Sequence, residues 1–253
     1  MQRSHRLSMI VRAINSSRSL SVEALSQLTG ASPVTIRRDL VELVRAGHVR
    51  RTHGGAEALP QRGVAGAPFR QRYEAKREVN ERLGAAVAAL LSDGDSVVLD
   101  SGTTCFTVAT LLAGRDLTVI PLSLHAAAVL AEGTLPRVVL PGGPVEPDSQ
   151  AMSGAAAVQA LESISADVVV LGPCAASAAH GLTATTAQES AVKAAATRAA
   201  ARRIVVAPAS KLLSTATFRF ATLSQVDHLV TTRDAPGTLL EEFAAEGAQV
   251  HLV

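Results

Sequence analysis

Seven short runs of branched aliphatic residues recur from Ser96 to the carboxyl end: SVVLD at 96–100, LTVI at 117–120, RVVL at 137–140, DVVVLG at 167–172, RIVVA at 203–207, HLVTT at 228–232 and QVHLV at 249–253. They are too short for core helices and mostly apolar throughout, so they predict strands buried on both faces. Ala-rich stretches of helical character separate them. Strands alternating with helices predict an α/β domain around a mainly parallel sheet, and ligands of such sheets bind beyond the carboxyl ends of the strands. With 47% hydrophobic residues and only 2% aromatics, the core must be assembled from Ala, Val and Leu.

A chain of 253 residues has room for a module of about 60 residues beside a core domain of about 180. Charge supports such a division. Residues 1 to 62 carry ten arginines against Glu23, Asp39, Glu42 and Glu57, a net +6, whereas the remainder carries 14 basic and 18 acidic side chains, a net −4. The asymmetry suggests a polyanion partner for the small module, with a merely solvated basic surface as the alternative that charge alone leaves open. No apolar run approaches the ~20 residues of a membrane span, and the first residues scatter arginines where a signal peptide needs an apolar segment. A cytoplasmic protein is expected. Cys105 and Cys174 lack metal-ligand spacing, so neither a disulfide framework nor a metal site is implied, and no cofactor is called for.

In the basic module, Leu7, Ile10, Val11 and Ile14 have helical spacing between His5 and Ile14, ahead of Ser16 and Ser17. Ser21 is placed to cap a second helix with Val22, Leu25 and Leu28 inward, which Gly30 stops. Ser32 and Pro33 open a third helix that Gly47 ends. On its wheel Ile36, Leu40, Leu43 and Val44 form the packing stripe, and Val34, Thr35, Arg38 and Arg45 project outward with Arg37 on the flank. Arginine can grip a guanine edge or a phosphate, and threonine can meet a base through its hydroxyl or methyl. The basic segment HVRRTHGGA, with its GlyGly turn, reads as the hairpin wing of a winged helix-turn-helix, in which Arg50, Arg51 and His53 approach phosphates. The agreement of caps, spacing, charge and hairpin favours DNA binding over a bland basic surface.

The run SVEALSQLTGASPVTIRRDLVELVRAGHVRRTHGGA resembles the DeoR family of bacterial regulators, whose signature is a SerxxThrIleArgArgAspLeu helix followed by an ArgxHisGlyGlyAla wing. The resemblance implies that Ser32, Thr35, Arg37 and Arg38 contact DNA, with Asp39 an internal orienting partner. Residues 57 to 68, EALPQRGVAGAP, read as a linker between a winged-helix domain at 1–56 and a sensing and oligomerisation domain at 69–253. That larger domain opens with a helix expected over 69–91.

Several groups follow the predicted strands. Asp100, Gly102, Thr103 and Thr104 stand after the first strand and before a helix, an anion-binding arrangement whose ordinary alternative is a capped turn. Gly142 and Gly143 follow the third. Lys211 follows RIVVA, and Glu189 with Lys193, one helical turn apart, more often form an exposed salt bridge. A parallel sheet would gather the groups that follow strands at one rim. The DeoR carboxyl domain carries AspxGlyThrThr, GlyGly, GluxxxLys and SerLys at similar positions, which extends the resemblance over nearly the whole chain. By resemblance the fold is like ribose-5-phosphate isomerase, the effector is a phosphorylated metabolite related to sugars, and Gly102, Thr103, Thr104, Glu189, Lys193 and Lys211 contact it.

The chain departs from the family pattern where Pro121, Leu122 and Ser123 replace ThrAsnSer, where Pro208 replaces Asp, and where an arginine after GlyGly is missing. These changes predict a site with few partners for sugar hydroxyls. The resemblance implies a DNA-binding transcriptional regulator, most simply a repressor of metabolic genes and a homo-oligomer. An isomerase-like enzyme fused to a DNA-binding module, or a scaffold that senses nothing, are the alternatives at this point.

Overall fold

The computed structural model describes residues 3–17, 19–45, 49–52, 54–58, 69–212 and 214–253. The chain divides into two units, Met1–Gln61 and Arg62–Val253.

The first unit contains α1 (Arg3–Ser17), β1 (Ser19–Ser21), α2 (Val22–Thr29), α3 (Pro33–Arg45), β2 (Val49–Thr52) and β3 (Gly55–Ala58). Ser21 caps α2 by accepting a hydrogen bond from the Ala24 N–H, and Gly30 ends it with a left-handed φ of 69°. Ser32 caps α3, accepting from the Thr35 N–H at 3.3 Å. Ile10, Ile14, Val22, Leu25, Ile36, Leu40, Leu43, Val49 and Ala56 form one buried core. Two side chains expected inside are not there: Leu28 is 50% exposed and Val44 37%. Each sits at the margin of its helix's apolar stripe, and the small module has no further layer to cover it. The first helix also runs past Ile14 through Ser16 and Ser17, because two serines alone do not break a helix whose next partner, β1, follows at Ser19.

The wing is a hairpin with β3 in the middle of a three-stranded antiparallel sheet, in the order β1-β3-β2. Strand β3 reaches into residues expected to be linker. Its two glycines serve different needs: Gly54 turns the hairpin with φ 91°, while a Cβ on Gly55 would lie 2.2 Å from the Leu20 carbonyl oxygen of β1.

The second unit opens with α4 (Phe69–Ala75) and α5 (Arg77–Ala88). The single helix expected here is interrupted at Lys76, with φ −126° and ψ 16°. The reason is two different docking surfaces. Phe69 and Tyr73 pack edge-on to Phe106, and Phe69 also stacks on His125, whereas Leu83 and Val87 of α5 enter the main core.

Then follow β4 (Ser96–Leu99), α6 (Thr103–Leu112), β5 (Thr118–Pro121), α7 (Leu124–Leu130), β6 (Arg137–Val138), α8 (Gly154–Glu162), β7 (Ala166–Leu171), β8 (Ala175–Ser177), β9 (Gly181–Ala184), α9 (Ala187–Arg198), β10 (Ala200–Val206), β11 (Phe218–Ala221), β12 (His228–Thr231), α10 (Gly237–Ala245) and β13 (Gln249–Leu252). All seven Val-rich runs fall in one parallel sheet, ordered β13-β12-β10-β7-β4-β5-β6. Alternate residues of one strand enter opposite cores, Val97 and Leu99 on one side and Val98 on the other. This is why the runs are continuously apolar. A second, antiparallel sheet, β11-β9-β8, contributes Leu182, Ala184 and Phe220 to one of those cores.

Strand order positions the site. From β4 the chain moves to β5 and β6, then returns to β7 on the other side of β4 and continues outward to β13. The reversal places the topological switch point of an open α/β sheet, where ligands of such sheets bind, beyond the carboxyl ends of β4 and β7.

Overpacking one residue of the wing tests the first unit. Gly55→Ala in the full chain should destabilise the β1-β3-β2 sheet by about 1–3 kcal/mol, read as faster amide exchange in β1 and β3. Unchanged protection there would contradict the close approach.

Candidate functional site

The outer side of α3 is the first candidate. Ser32 Oγ lies 2.9 Å from Thr35 Oγ1, so the hydroxyls expected to meet DNA are held together at the helix start. Arg37 and Arg38 are exposed, and among the described residues neither has an ion-pair partner. Asp39, on the opposite side, is 3% exposed and accepts from Arg6 Nε at 2.6 Å and Nη2 at 3.2 Å. This two-pronged pair joins α3 to α1 and keeps the carboxylate from the surface that carries the arginines. On the wing, Arg51 is exposed, but Arg50 is engaged across the hairpin by Glu57, its register partner. Arg50 is therefore less available to a phosphate than expected. The side chain of Arg45 and all of His53 lie outside the described residues.

The second candidate is the rim at the switch point. Asp100 ends β4 with its side chain turned inward: Oδ1 accepts from the Ser101 N–H at 2.7 Å and Oδ2 from the Gly172 N–H at 2.9 Å. Lys193 of α9 reaches the same Oδ2, donates to the Gly172 carbonyl at 2.8 Å and lies 3.4 Å from Glu189. The Asp100 and Lys193 side chains are 3% and 2% exposed. Burial alone would lower the Lys193 pKa, but Asp100 and then Glu189 outweigh it and hold the ammonium above its ordinary value. The expectation of an exposed Glu189–Lys193 bridge is thus corrected: the lysine is in the core because a carboxylate 93 residues away compensates its charge.

Glu189 is also tied down. It accepts from Cys174 Sγ at 3.2 Å, from the Thr185 N–H at 3.2 Å and from the Thr185 hydroxyl at 3.0 Å. Burial would raise its pKa, yet Lys193 and these donors keep it below the usual carboxylate range. Both cysteines are free, and burial pushes Cys105 up to about 12 and Cys174 in the same direction.

What remains unsatisfied is mostly donors. Gly102 precedes α6 with φ 101°, a conformation suited to glycine, and the first-turn N–H groups of α6 have no intrahelical acceptor. Thr104 is buried and donates to Asn80 Oδ1 at 2.8 Å, while Asn80 Nδ2 is buried without a partner. Lys211 is half-buried, and none of the described residues offers it a hydrogen bond or carboxylate. Burial, with Lys193 and Lys76 adding repulsion, lowers its pKa. Asn80 of α5 and Lys76, the residue that precedes α5, carry no sequence signal of a site; only the packing of α5 beside Thr104 brings them in.

Gly142 and Gly143 follow the edge strand β6. A Cβ on Gly143 would lie 2.4 Å from the Ser153 carbonyl oxygen, so close packing accounts for that glycine. Leu122 is 1% exposed in the core, and Ser123 caps α7 through the Ala126 N–H at 3.2 Å. Pro208 is buried as well. Leu122 and Pro208 therefore act on packing, in contrast to the expectation that they line a ligand.

A basic winged helix beside a parallel-sheet domain with a donor-rich rim defines a DNA-binding protein with a ligand-responsive domain. Residues 6–62 match the model of the DeoR-like helix-turn-helix domain, and residues 73–233 match that of the DeoR C terminal sensor domain. The HTH-type transcriptional repressor GlcR of Bacillus subtilis is 31% identical over 233 residues, 92% of this chain and 90% of the relative. The glycerol-3-phosphate regulon repressor of Haemophilus influenzae is 31% identical over 232 residues, 91% and 90% of the two chains. The chain belongs to the DeoR family of transcriptional regulators. Among solved structures, ribose 5-phosphate isomerase A of Methanocaldococcus jannaschii covers 54% of this chain and 55% of its own, with 16% identity and a TM-score of 0.40, a partial likeness that says nothing of chemistry. No helix among the described residues is long and apolar enough to cross a membrane.

The buried pair makes a sharp stability test. Lys193→Met leaves Asp100 uncompensated and should cost about 3–5 kcal/mol, while adding Asp100→Asn should recover part of the loss. Denaturant unfolding of the full chain measures both, and equal stability of wild type and Lys193→Met would contradict the assigned role.

Proposed function

We propose that the chain is a repressor that holds operator DNA through α3 and the β2–β3 wing and releases it when a small phosphorylated metabolite occupies the rim around Gly102, Thr103 and Lys211. The sensing half is carried by one observation: the half-buried Lys211 ammonium has no acceptor among the described residues and lies within electrostatic range of Cys105 in the first turn of α6. A phosphoryl group supplies the missing acceptor oxygens and meets the positive end of the helix dipole. Asn80 Nδ2 is a further donor for a ligand oxygen or a bridging water. Asp100, Glu189 and Lys193 act at one remove: their polar atoms are engaged with each other, so they position the rim without touching the ligand.

A relative named a glycerol-3-phosphate regulon repressor fits a compact phosphorylated ligand. Turnover is disfavoured because both rim carboxylates are already bound to Lys193. Homo-oligomers present paired reading heads to paired half-sites, and the second unit is assigned the interface. Light scattering of the full chain at micromolar concentration should therefore show more than a monomer.

On DNA, Arg38→Ala should lose about 1–3 kcal/mol of discrimination against wrong bases. Arg51→Ala should instead weaken all sequences alike and reduce the salt slope by about one. Arg50→Ala should change the slope less than Arg51→Ala, since Glu57 already offsets its charge. Salt titrations on specific and scrambled duplexes separate the three, and unaltered affinity for Arg38→Ala would remove it from the interface.

In the sensor unit, calorimetry with inorganic phosphate, glycerol phosphate and hexose phosphates should detect a phosphorylated ligand that Lys211→Ala no longer binds. Lys211 must be charged to hold the anion, so affinity should fall as pH rises through its lowered pKa, at lower pH than for an ordinary lysine. At pH values near that lowered pKa binding should also take up protons, read as a buffer-dependent heat. Identical affinities for wild type and Lys211→Ala would overturn the site.

A further inference from the structure

Among the described residues, the most exposed large apolar side chains belong to the helix that carries Arg37 and Arg38, neither of which has an ion-pair partner there. Val34 and Val41 of α3 are each 58% exposed. At 100° per residue Val34, Arg38 and Val41 fall within about 60° of arc, opposite the buried Ile36, Leu40 and Leu43. None of the described residues of the first unit covers them. Valine is a poorer helix former than alanine, leucine or lysine, and at exposed positions it gains no packing in return. The two valines thus weaken the isolated helix, and they do so on the stripe that faces away from the core.

The surroundings specify what covers them. Arg38 lies between the valines and Arg37 beside them, both exposed, while the Asp39 carboxylate on the same helix is buried against Arg6. An apolar protein partner would have to bury these arginines unpaired. A DNA major groove provides phosphates along its walls and guanine edges for arginine on its floor, and it also presents one apolar group, the C5 methyl of thymine. We propose that Val34 and Val41 read thymine methyls on either side of the base contacted by Arg38. This rests on the reading of α3 as the DNA-binding helix and adds to it the class of base that the valines select.

Geometry gives the spacing. Seven residues at 1.5 Å rise separate the two Cα atoms by about 10 Å along the helix, and stacked base pairs are about 3.4 Å apart. With α3 lying along the groove, which is inclined to the axis along which bases stack, the two thymines are about two to three base pairs apart, on the same or on opposite strands, with the Arg38 contact between them. Val34, in the first turn, enters the groove in the part of a recognition helix that most often meets base edges.

The test uses the full-length protein and selection of its binding site from random duplexes. Each thymine of the selected half-site is then replaced singly by deoxyuridine, which removes only the methyl, and binding is measured with wild type, Val34→Ala and Val41→Ala. One deoxyuridine should weaken wild type about fourfold, the value of one buried carbon, and leave Val34→Ala unaffected. A second, about two to three base pairs away, should behave in the same way with Val41→Ala. Alanine favours the helix, so both variants keep the fold, as circular dichroism would verify. Losses that multiply independently at every thymine, or a half-site without thymine, overturn the inference and leave DNA binding by α3 standing. A selection that enriches no sequence overturns that reading as well.

Discussion

The rim of the second unit depends on one buried ion pair. Asp100 stands at the end of β4 and Lys193 on α9, and the pair is completed by the Gly172 N–H and carbonyl at the end of β7. It therefore ties together the two strands between which the chain reverses direction, and anchors α9 to both. A buried pair of this kind adds little net stability over well-packed apolar residues, because desolvation offsets most of the attraction. Its contribution is positional. With Asp100 accepting the Ser101 N–H, the turn into α6 has one arrangement, and Gly102 is left free to take the backbone angles that set the first N–H groups of α6 at the switch point.

A carboxylate plays a comparable part in the DNA-binding unit. Asp39 lies on the same helix as Arg37 and Arg38, and an exposed carboxylate there would repel phosphates and compete for the arginines. Pairing with Arg6 removes it from that surface and fixes α3 against α1. The pair withdraws one charge of each sign, so the net +6 of residues 1 to 62 stays with the remaining groups, the exposed Glu42 of α3 among them. Arg50 illustrates the opposite choice, since Glu57 across the hairpin retains its charge for the wing itself.

Much of this architecture could be read from local pattern, and the exceptions share a cause. The seven parallel strands were legible because burial on both faces demands unbroken Val and Ile. Ser21, Gly30 and Ser32 were legible because capping chemistry is local. The small sheet of β8, β9 and β11 was not: AAS, GLTA and FRFA have no common period, and they pair only because α9 and the main sheet leave a surface to cover. Lys193 was misread as exposed because its compensating charge is remote in sequence. Leu122 and Pro208 stood where family side chains differ, but sequence could not show that they point into the core. Asn80, on an unremarkable stretch of α5, is meaningful only beside Thr104.

The balance of donors and acceptors at the rim gives the proposed ligand its chemistry. Asp100 Oδ2 receives two donors, Glu189 receives three besides its contact with Lys193, and Lys193 has acceptors in Asp100, Gly172 and Glu189. These groups have no unused capacity to exchange a proton with a substrate. The deficits lie elsewhere: Lys211 Nζ, Asn80 Nδ2 and the first N–H groups of α6 are donors, and Thr231 Oγ1, at the end of β12, is a hydroxyl without a partner. A ligand rich in hydroxyls could accept from these donors, but it would also bring further O–H groups to a place with few free acceptors and would add no charge opposite Lys211. A phosphoryl group brings acceptor oxygens and negative charge, and its tail need satisfy little else. The same reasoning explains how a family fold can change its effector preference while keeping its rim: the ion pair fixes where the donors are, and the few neighbours not drawn into it decide how much of the remaining ligand is recognised.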